Sequence, residues 1–127
     1  MKQRKNKEVS SQDLCQLVAK GMMEKKGQEV AILDLRKVKN AIADFFVICS
    51  GTSDTQIDAI ADSVEHEVYK AVEENPWHKE GKTNREWILI DYVDVVAHVF
   101  KKDRRKYYDL EELWGDADLT LIEESVA

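Results

Sequence analysis

From Gly51 to Pro76 the chain reads GTSDTQIDAIADSVEHEVYKAVEENP, and Ile57, Ile60, Ala61, Val64, Val68 and Val72 recur there as one apolar stripe at helical spacing. Ser53 and Gln56 are set as a capping box, Asp54 and Asp58 favour the helix N-terminus, and Asn75 with Pro76 ends it. A long helix placed directly after a short apolar run acts as a crossover that returns the chain to its own sheet. That run, Asp44 to Ser50 (DFFVICS), and an earlier one, Glu29 to Leu35 (EVAILDL), are short, apolar and rich in β-branched or aromatic residues, as buried strands are. Nine residues, Arg36 to Asp44, lead from one to the other. That is too few for a parallel crossover, so the two strands are predicted to be antiparallel neighbours.

The remaining elements follow the same reading. Leu14, Leu17, Val18 and Met22 give a first helix between Ser10 and Lys26, with Ser10 and Asp13 as an approximate cap and Gly27 as its stop. Trp87 to Asp91 (WILID) and Val95 to Phe100 (VVAHVF) are two more strands, joined by Tyr92, Val93 and Asp94 into a hairpin. Lys101 to Lys106 reads as a basic turn, and Asp109 with Glu112 caps a short helix ending at Trp114 and Gly115. The predicted fold class is α/β, a mixed sheet flanked by helices. The 127 residues suit one compact core: a flexible basic arm over 1–9, a domain over 10–116 and an acidic tail over 117–127. Leu119, Leu121 and Ile122 leave both a packed and a loose tail open.

Charge is segregated. The net charge is −6, yet residues 1–7 carry four basic residues and no acid, whereas 54–98 carry eleven acids against four basics. Residues 99–108 return to five basics and one acid, and 109–127 hold seven acids and no basic residue. An acidic middle repels phosphates, which disfavours direct, sequence-specific nucleic-acid binding. The same acidity steers the domain towards a basic protein, although a solvated acidic surface serves solubility equally well. No apolar run approaches the roughly 18 residues of a membrane span, and no hydrophobic stretch follows the basic start. Neither a membrane anchor nor a secretory signal is expected. Cys15 and Cys49 are too few for a disulfide framework, so the expected location is cytoplasmic.

The residues offer little catalytic chemistry. Phosphate-loop and dinucleotide glycine patterns are absent, and the turn Ser50-Gly51-Thr52-Ser53 is what any tight turn followed by a cap demands. His66, His78 and His98 lack metal-ligand spacing. His98 shares a strand face with Val96 and Phe100, which predicts a hydrogen-bonded, partly buried side chain. Cys49 reads as core, with a thiol pushed up by its apolar setting. Asp91 and Asp94 stand three apart across a turn, unlike the paired strand aspartates of nucleotidyl transfer, and suit a solvated turn instead. What remains is a cluster of aromatic and acidic residues. Trp87 and Tyr92, flanked by Glu86, Asp91 and Asp94, resemble a hot spot for a basic partner. Trp87 reads equally as core, whereas Tyr92 at a hairpin tip is harder to bury.

Five stretches together resemble one family. They are Ile32 to Leu35 (ILDL), Ile42 to Ile48 (IADFFVI), Ser50 to Ser53 (SGTS), Asp91 to Phe100 (DYVDVVAHVF) and Tyr107 to Asp116 (YYDLEELWGD). In this order they are similar to the ribosomal silencing factor (Iojap-like) family. The resemblance implies a nucleotidyltransferase-like fold without catalytic carboxylates, no enzymatic activity, and no cofactor or metal. It also implies a translational repressor that binds large-subunit ribosomal protein fourteen and sterically blocks the small subunit when nutrients are scarce. Trp87, Asp91 and Tyr92 match positions that the family places at this contact, while Glu86 and Asp94 are added on electrostatic grounds alone. A metal-dependent nucleotidyltransferase with unfamiliar ligands is the alternative, and a homodimeric adaptor a third reading.

Overall fold

The structure, a computed structural model, describes residues 9–122. Their order is α1 (Ser11–Glu24), β1 (Gln28–Asp34), β2 (Phe45–Gly51), α2 (Asp54–Val72), β3 (His78–Glu80), β4 (Trp87–Asp91), β5 (Val95–Lys101), α3 (Lys102–Tyr108), α4 (Leu110–Leu113) and β6 (Asp118–Leu121). The strands form one mixed sheet in the order β3-β4-β5-β2-β1-β6. β1 and β2 are antiparallel, as their short connection requires, and β4 and β5 form the expected hairpin. The chain running from β2 through α2 returns it to β5 in parallel. Residues 1–8 of the basic arm and 123–127 of the acidic tail lie outside the described residues.

Several boundaries differ from expectation. α2 stops at Val72, the last apolar residue of its stripe, and Glu73 turns left-handed (φ 56°) before Asn75 and Pro76 are reached. The chain then brings the Trp77 N–H to the Asp91 carbonyl and opens the short edge strand β3, for which the sequence offers no alternating pattern. The basic segment after β5 is a helix, α3, rather than a turn. Asp109 stands ahead of α4, but its backbone is left-handed and its side chain caps nothing. The sheet also continues past residue 116, because Asp118–Leu121 pairs antiparallel with β1 as β6.

One face of the sheet is sealed by the two long helices. Leu14, Val18 and Met22 of α1 and Ile57, Ile60, Val64 and Val68 of α2 bury against Val47, Cys49, Ile88, Ile90, Ala97 and Val99. The helices are capped as read: Asp13 N–H donates to Ser10 Oγ and Gln56 N–H to Ser53 Oγ, at 3.0 and 3.1 Å. The Gln56 side chain departs from a capping box. Its oxygen accepts from the Thr52 N–H, and its amide donates to the Lys25 and Lys26 carbonyls, tying the start of α2 to the end of α1. Between the helices Gly21 permits direct backbone approach, since a Cβ there would lie 2.6 Å from Val64 Cα.

The opposite face is covered differently. Leu33, Phe46, Ile48, Val96 and Phe100 are buried there, but the half-buried Val38, Ala41, Trp87, Leu89 and Trp114 close over them, with Leu110 of α4 at one end. Gly21→Val should therefore separate the two long helices and lower stability by about 2 kcal/mol or more, since overpacking outweighs any gain from removing a helical glycine. Chemical denaturation checks it; unchanged stability would mean that the helices can slide apart without loss.

Candidate protein interface

Strand alternation decides which side chains reach the open face. Trp87, Leu89 and Asp91 of β4 lie on it, paired across the hairpin with Phe100, His98 and Val96 of β5. Leu119 and Leu121 of β6 extend the same face at the other edge, opposite Leu33 and Ala31 of β1. Trp87 is half-buried: its indole stacks on Phe100 (5.0 Å between centroids) and leans on Tyr108 of α3 (4.8 Å). Trp87 thus joins the aromatic cluster and keeps a solvent-facing part. Tyr107, 73 % exposed, lies edge-on to Tyr108, and Leu113 of α4 is 71 % exposed. The aromatic ridge is thus longer than the sequence indicated.

Tyr92 is not part of it. The alternation Ile88, Ile90, Tyr92 continues into the hairpin and carries the ring to the helix-side core, where it is 1 % exposed and its hydroxyl has no hydrogen-bond partner among the described residues. Burial, aided by the charges of Glu65 and Glu74, holds that hydroxyl protonated well above the usual tyrosine range. Its expected place at an exposed tip is therefore corrected: the tip itself is Val93 and Asp94. The Asp94 N–H donates to the Tyr92 carbonyl across Val93, whose φ of 77° is strained for a β-branched residue. The Asp91 carboxylate braces this turn by accepting from the Val93 N–H at 2.7 Å. The Asp94 carbonyl accepts from the Asp44 and Phe45 N–H groups, anchoring the tip to the start of β2.

The electrostatics also differ from a simple acidic ridge. Much of the acid surplus sits on α2, behind the sheet, and is paired there: Asp54 with Lys101, Asp58 with Arg85, Asp62 with Lys82, Glu65 with Lys79, and Glu67 with Lys20 and Lys70. The solvent-exposed pairs each contribute about 0–1 kcal/mol, whereas Glu67 is buried between its two lysines. Glu86, next to Trp87, approaches Arg104 at 3.6 Å, so its charge is partly offset. Of the acids, Asp91 lies on the open face by the alternation of β4, with Asp94 at the adjoining tip.

Two buried polar side chains support the face. Arg105 of α3 was expected on a solvated basic turn, yet it is buried and donates to the Gln28 and Glu29 carbonyls, to Ser50 Oγ and twice to Glu111 Oε2. No local signal distinguishes it from its basic neighbours in sequence. His98, read as hydrogen-bonded and partly buried, is almost fully buried and accepts at Nδ1 from Trp87 Nε1–H at 3.0 Å. The hairpin register could have revealed this bond, since Trp87 and His98 are diagonal neighbours across β4 and β5. Cys15 and Cys49 are buried free thiols, pushed up to about 11 and about 12 by desolvation. Among the described residues no three His, Cys, Asp or Glu side chains are placed to hold a metal ion, and no helix is long and apolar enough to cross a membrane.

Burial pulls the His98 imidazole down from 6.5 to about 3, so it is neutral in the folded protein. An unfolded chain binds this proton below pH 6.5 and the folded one does not until about pH 3. Keeping the ring neutral therefore costs nothing above pH 6.5, and the folded state loses stability as pH falls from 6.5 towards 3, at up to about 1.4 kcal/mol per pH unit. Denaturation at pH 7 and pH 4.5 should show a larger acid loss for the wild type than for His98→Leu, by about 2 kcal/mol. Equal losses in the two proteins would place a charged or solvated imidazole in the fold.

The family model described as "Ribosomal silencing factor during starvation" matches residues 8–127. The Halalkalibacterium halodurans protein named ribosomal silencing factor RsfS is 43% identical over 118 residues, covering 91% of this chain and 97% of that protein. A crystal structure of a Chromobacterium violaceum protein superposes with a TM-score of 0.79 at 29% identity, covering 94% of this chain and 95% of that one. The mouse protein named "Mitochondrial assembly of ribosomal large subunit protein 1" is 35% identical over 74 residues, which are 56% of this chain and 32% of the mouse protein.

Proposed function

The chain belongs to the ribosomal silencing factor family, a regulatory and non-enzymatic one whose role is ribosome silencing, and from that premise we propose that it docks on large-subunit ribosomal protein fourteen. Docked there, it stands in the path of the small subunit and prevents the two subunits from joining. The observation that carries this reading is the asymmetry of the sheet. One face is sealed by two long helices, and the other is closed by half-buried aromatic and aliphatic side chains, Trp87 among them, with Leu110 of α4 at one end. An apolar ridge with a fixed aromatic at its centre and acids on its rim fits a basic protein surface. The large-subunit wording in the mouse relative's name points to the same particle.

The mechanism needs no chemistry. A small domain that covers about 800 Å² of a larger particle occludes a far greater joining surface by its bulk. Trp87 supplies apolar contact area with few rotors left to freeze, because Phe100 and Tyr108 already hold its ring. Asp91 contributes less directly, by bracing the hairpin tip whose Asp94 faces the partner. Asp94 and Glu86 steer the encounter, Glu86 more weakly because of Arg104. Tyr92 sits in the core beneath and acts only as support. The action is cytoplasmic, and a homodimer formed through the same ridge would compete with docking.

Sucrose-gradient sedimentation tests this. The purified protein should travel with large subunits and reduce the joined-ribosome peak, with binding weakening as salt rises. Absence of both effects would rule the proposal out. Trp87→Ala should cost more than about 2 kcal/mol of affinity, roughly a thirtyfold rise in Kd, with the fold retained. Unfolding without a separable binding loss would make Trp87 a core residue alone. Charge reversal at Asp94 should mainly slow association, and at Glu86 less so; a defect indifferent to salt would count against steering.

A further inference from the structure

His98 occupies the middle of β5 on the open face, and everything around it is apolar or aromatic. Phe46 lies edge-on at 4.6 Å, Phe100 and Trp87 flank it on the same face, and Ile48 and Leu89 are its partners in the neighbouring strands. The side chain is 3 % exposed and makes one hydrogen bond, from Trp87 Nε1–H to Nδ1 at 3.0 Å. With Nδ1 accepting, the ring proton sits on Nε2, which has no partner among the described residues. A buried donor without an acceptor is a cost that leucine or phenylalanine would avoid at this position. Stability alone therefore does not explain a histidine here. Among the described residues its one hydrogen bond is with the residue placed at the centre of the docking ridge.

An indole at a sheet surface would ordinarily satisfy its N–H with water and turn between rotamers. Here the bond to His98 fixes which edge points into the sheet, and stacking on Phe100 and Tyr108 fixes the plane. These constraints act on different degrees of freedom, so neither replaces the other. We propose that His98 is a positioning residue for ribosome docking: its buried Nδ1 holds the Trp87 indole in the orientation that the partner meets. This rests on the docking reading above. The entropy of ordering the indole is then spent on folding rather than on binding, so losing the acceptor weakens affinity without loosening the fold.

The test compares variants for binding to purified large ribosomal subunits and for thermal unfolding. His98→Leu should raise Kd about tenfold while melting at or above the wild-type temperature. His98→Asn, whose Oδ1 takes the place of Nδ1, should stay within about threefold of wild type. Trp87→Phe, which keeps a ring and loses the N–H, should match His98→Leu, and the double variant should bind no worse than either single one. The Trp87 indole N–H resonance, assigned by its loss in Trp87→Phe, should shift and exchange faster in His98→Leu. If His98→Leu binds like wild type while Trp87→Ala is weakened, positioning is wrong and the docking face survives. Wild-type binding by Trp87→Ala would overturn both. An affinity loss in His98→Leu that tracks a fall in melting temperature and is not restored by asparagine would reduce His98 to a structural residue. Should His98→Leu not fold, His98→Asn and Trp87→Phe decide alone: wild-type affinity in Trp87→Phe overturns the proposal, and loss there with retention in His98→Asn supports it.

Discussion

Where the sheet ends and the two short helices begin, a single guanidinium holds the open face in shape. Arg105 leaves α3 and reaches the point where β1 is irregular, with Glu29 left-handed (φ 50°) and the register shifted between Gln28 and Ala31. That irregularity releases the Gln28 and Glu29 carbonyls from the regular ladder, and Arg105 Nη1 takes both together with Ser50 Oγ. Glu111 of α4 closes the arrangement with a 2.6 Å contact. A buried charge left without such partners would be costly, so β1, β2, α3 and α4 are bound into one geometry. Tyr108, which props Trp87, and Trp114, which covers Phe46, are carried by the segments fixed in this way.

The two faces of the sheet are consequently different materials. Behind it, α1 and α2 interlock so closely that Gly21 leaves no room for a side chain, and the acids of α2 are largely matched by bases. In front, aromatic rings contact one another edge-on and stacked, with Phe46 and Phe100 buried and Trp87, Tyr107 and Tyr108 partly in water. A face of this kind keeps its shape before a partner arrives, so that association costs less ordering. Asp91 lies on that side, whereas the acid-rich helix that dominates the count packs on the other.

Much of this was legible in advance because it depends on neighbours in sequence. The stripe from Ile57 to Val72 fixed α2, Ser10 and Ser53 fixed two helix starts, and the short link from Tyr92 to Asp94 fixed the hairpin. The stretches resembling the silencing-factor family led to the same fold class. Tyr92 is the exception: a place in a short hairpin link suggests exposure, but its alternation with Ile88 and Ile90 assigns it to the core face.

The sequence by itself therefore determined the number and type of the main elements, the antiparallel and hairpin pairings, the family, and Trp87 as the residue to watch. Only the tertiary structure decided that Arg105 is buried, that β6 extends the sheet beside β1, that the α2 acids face away from Trp87, and that His98 grips its indole. The division has a physical cause. Periodicity and caps act over a few residues and leave a trace in the local order of side chains. A guanidinium meeting carbonyls 76 and 77 positions away, or a carboxylate pairing across two layers, leaves none.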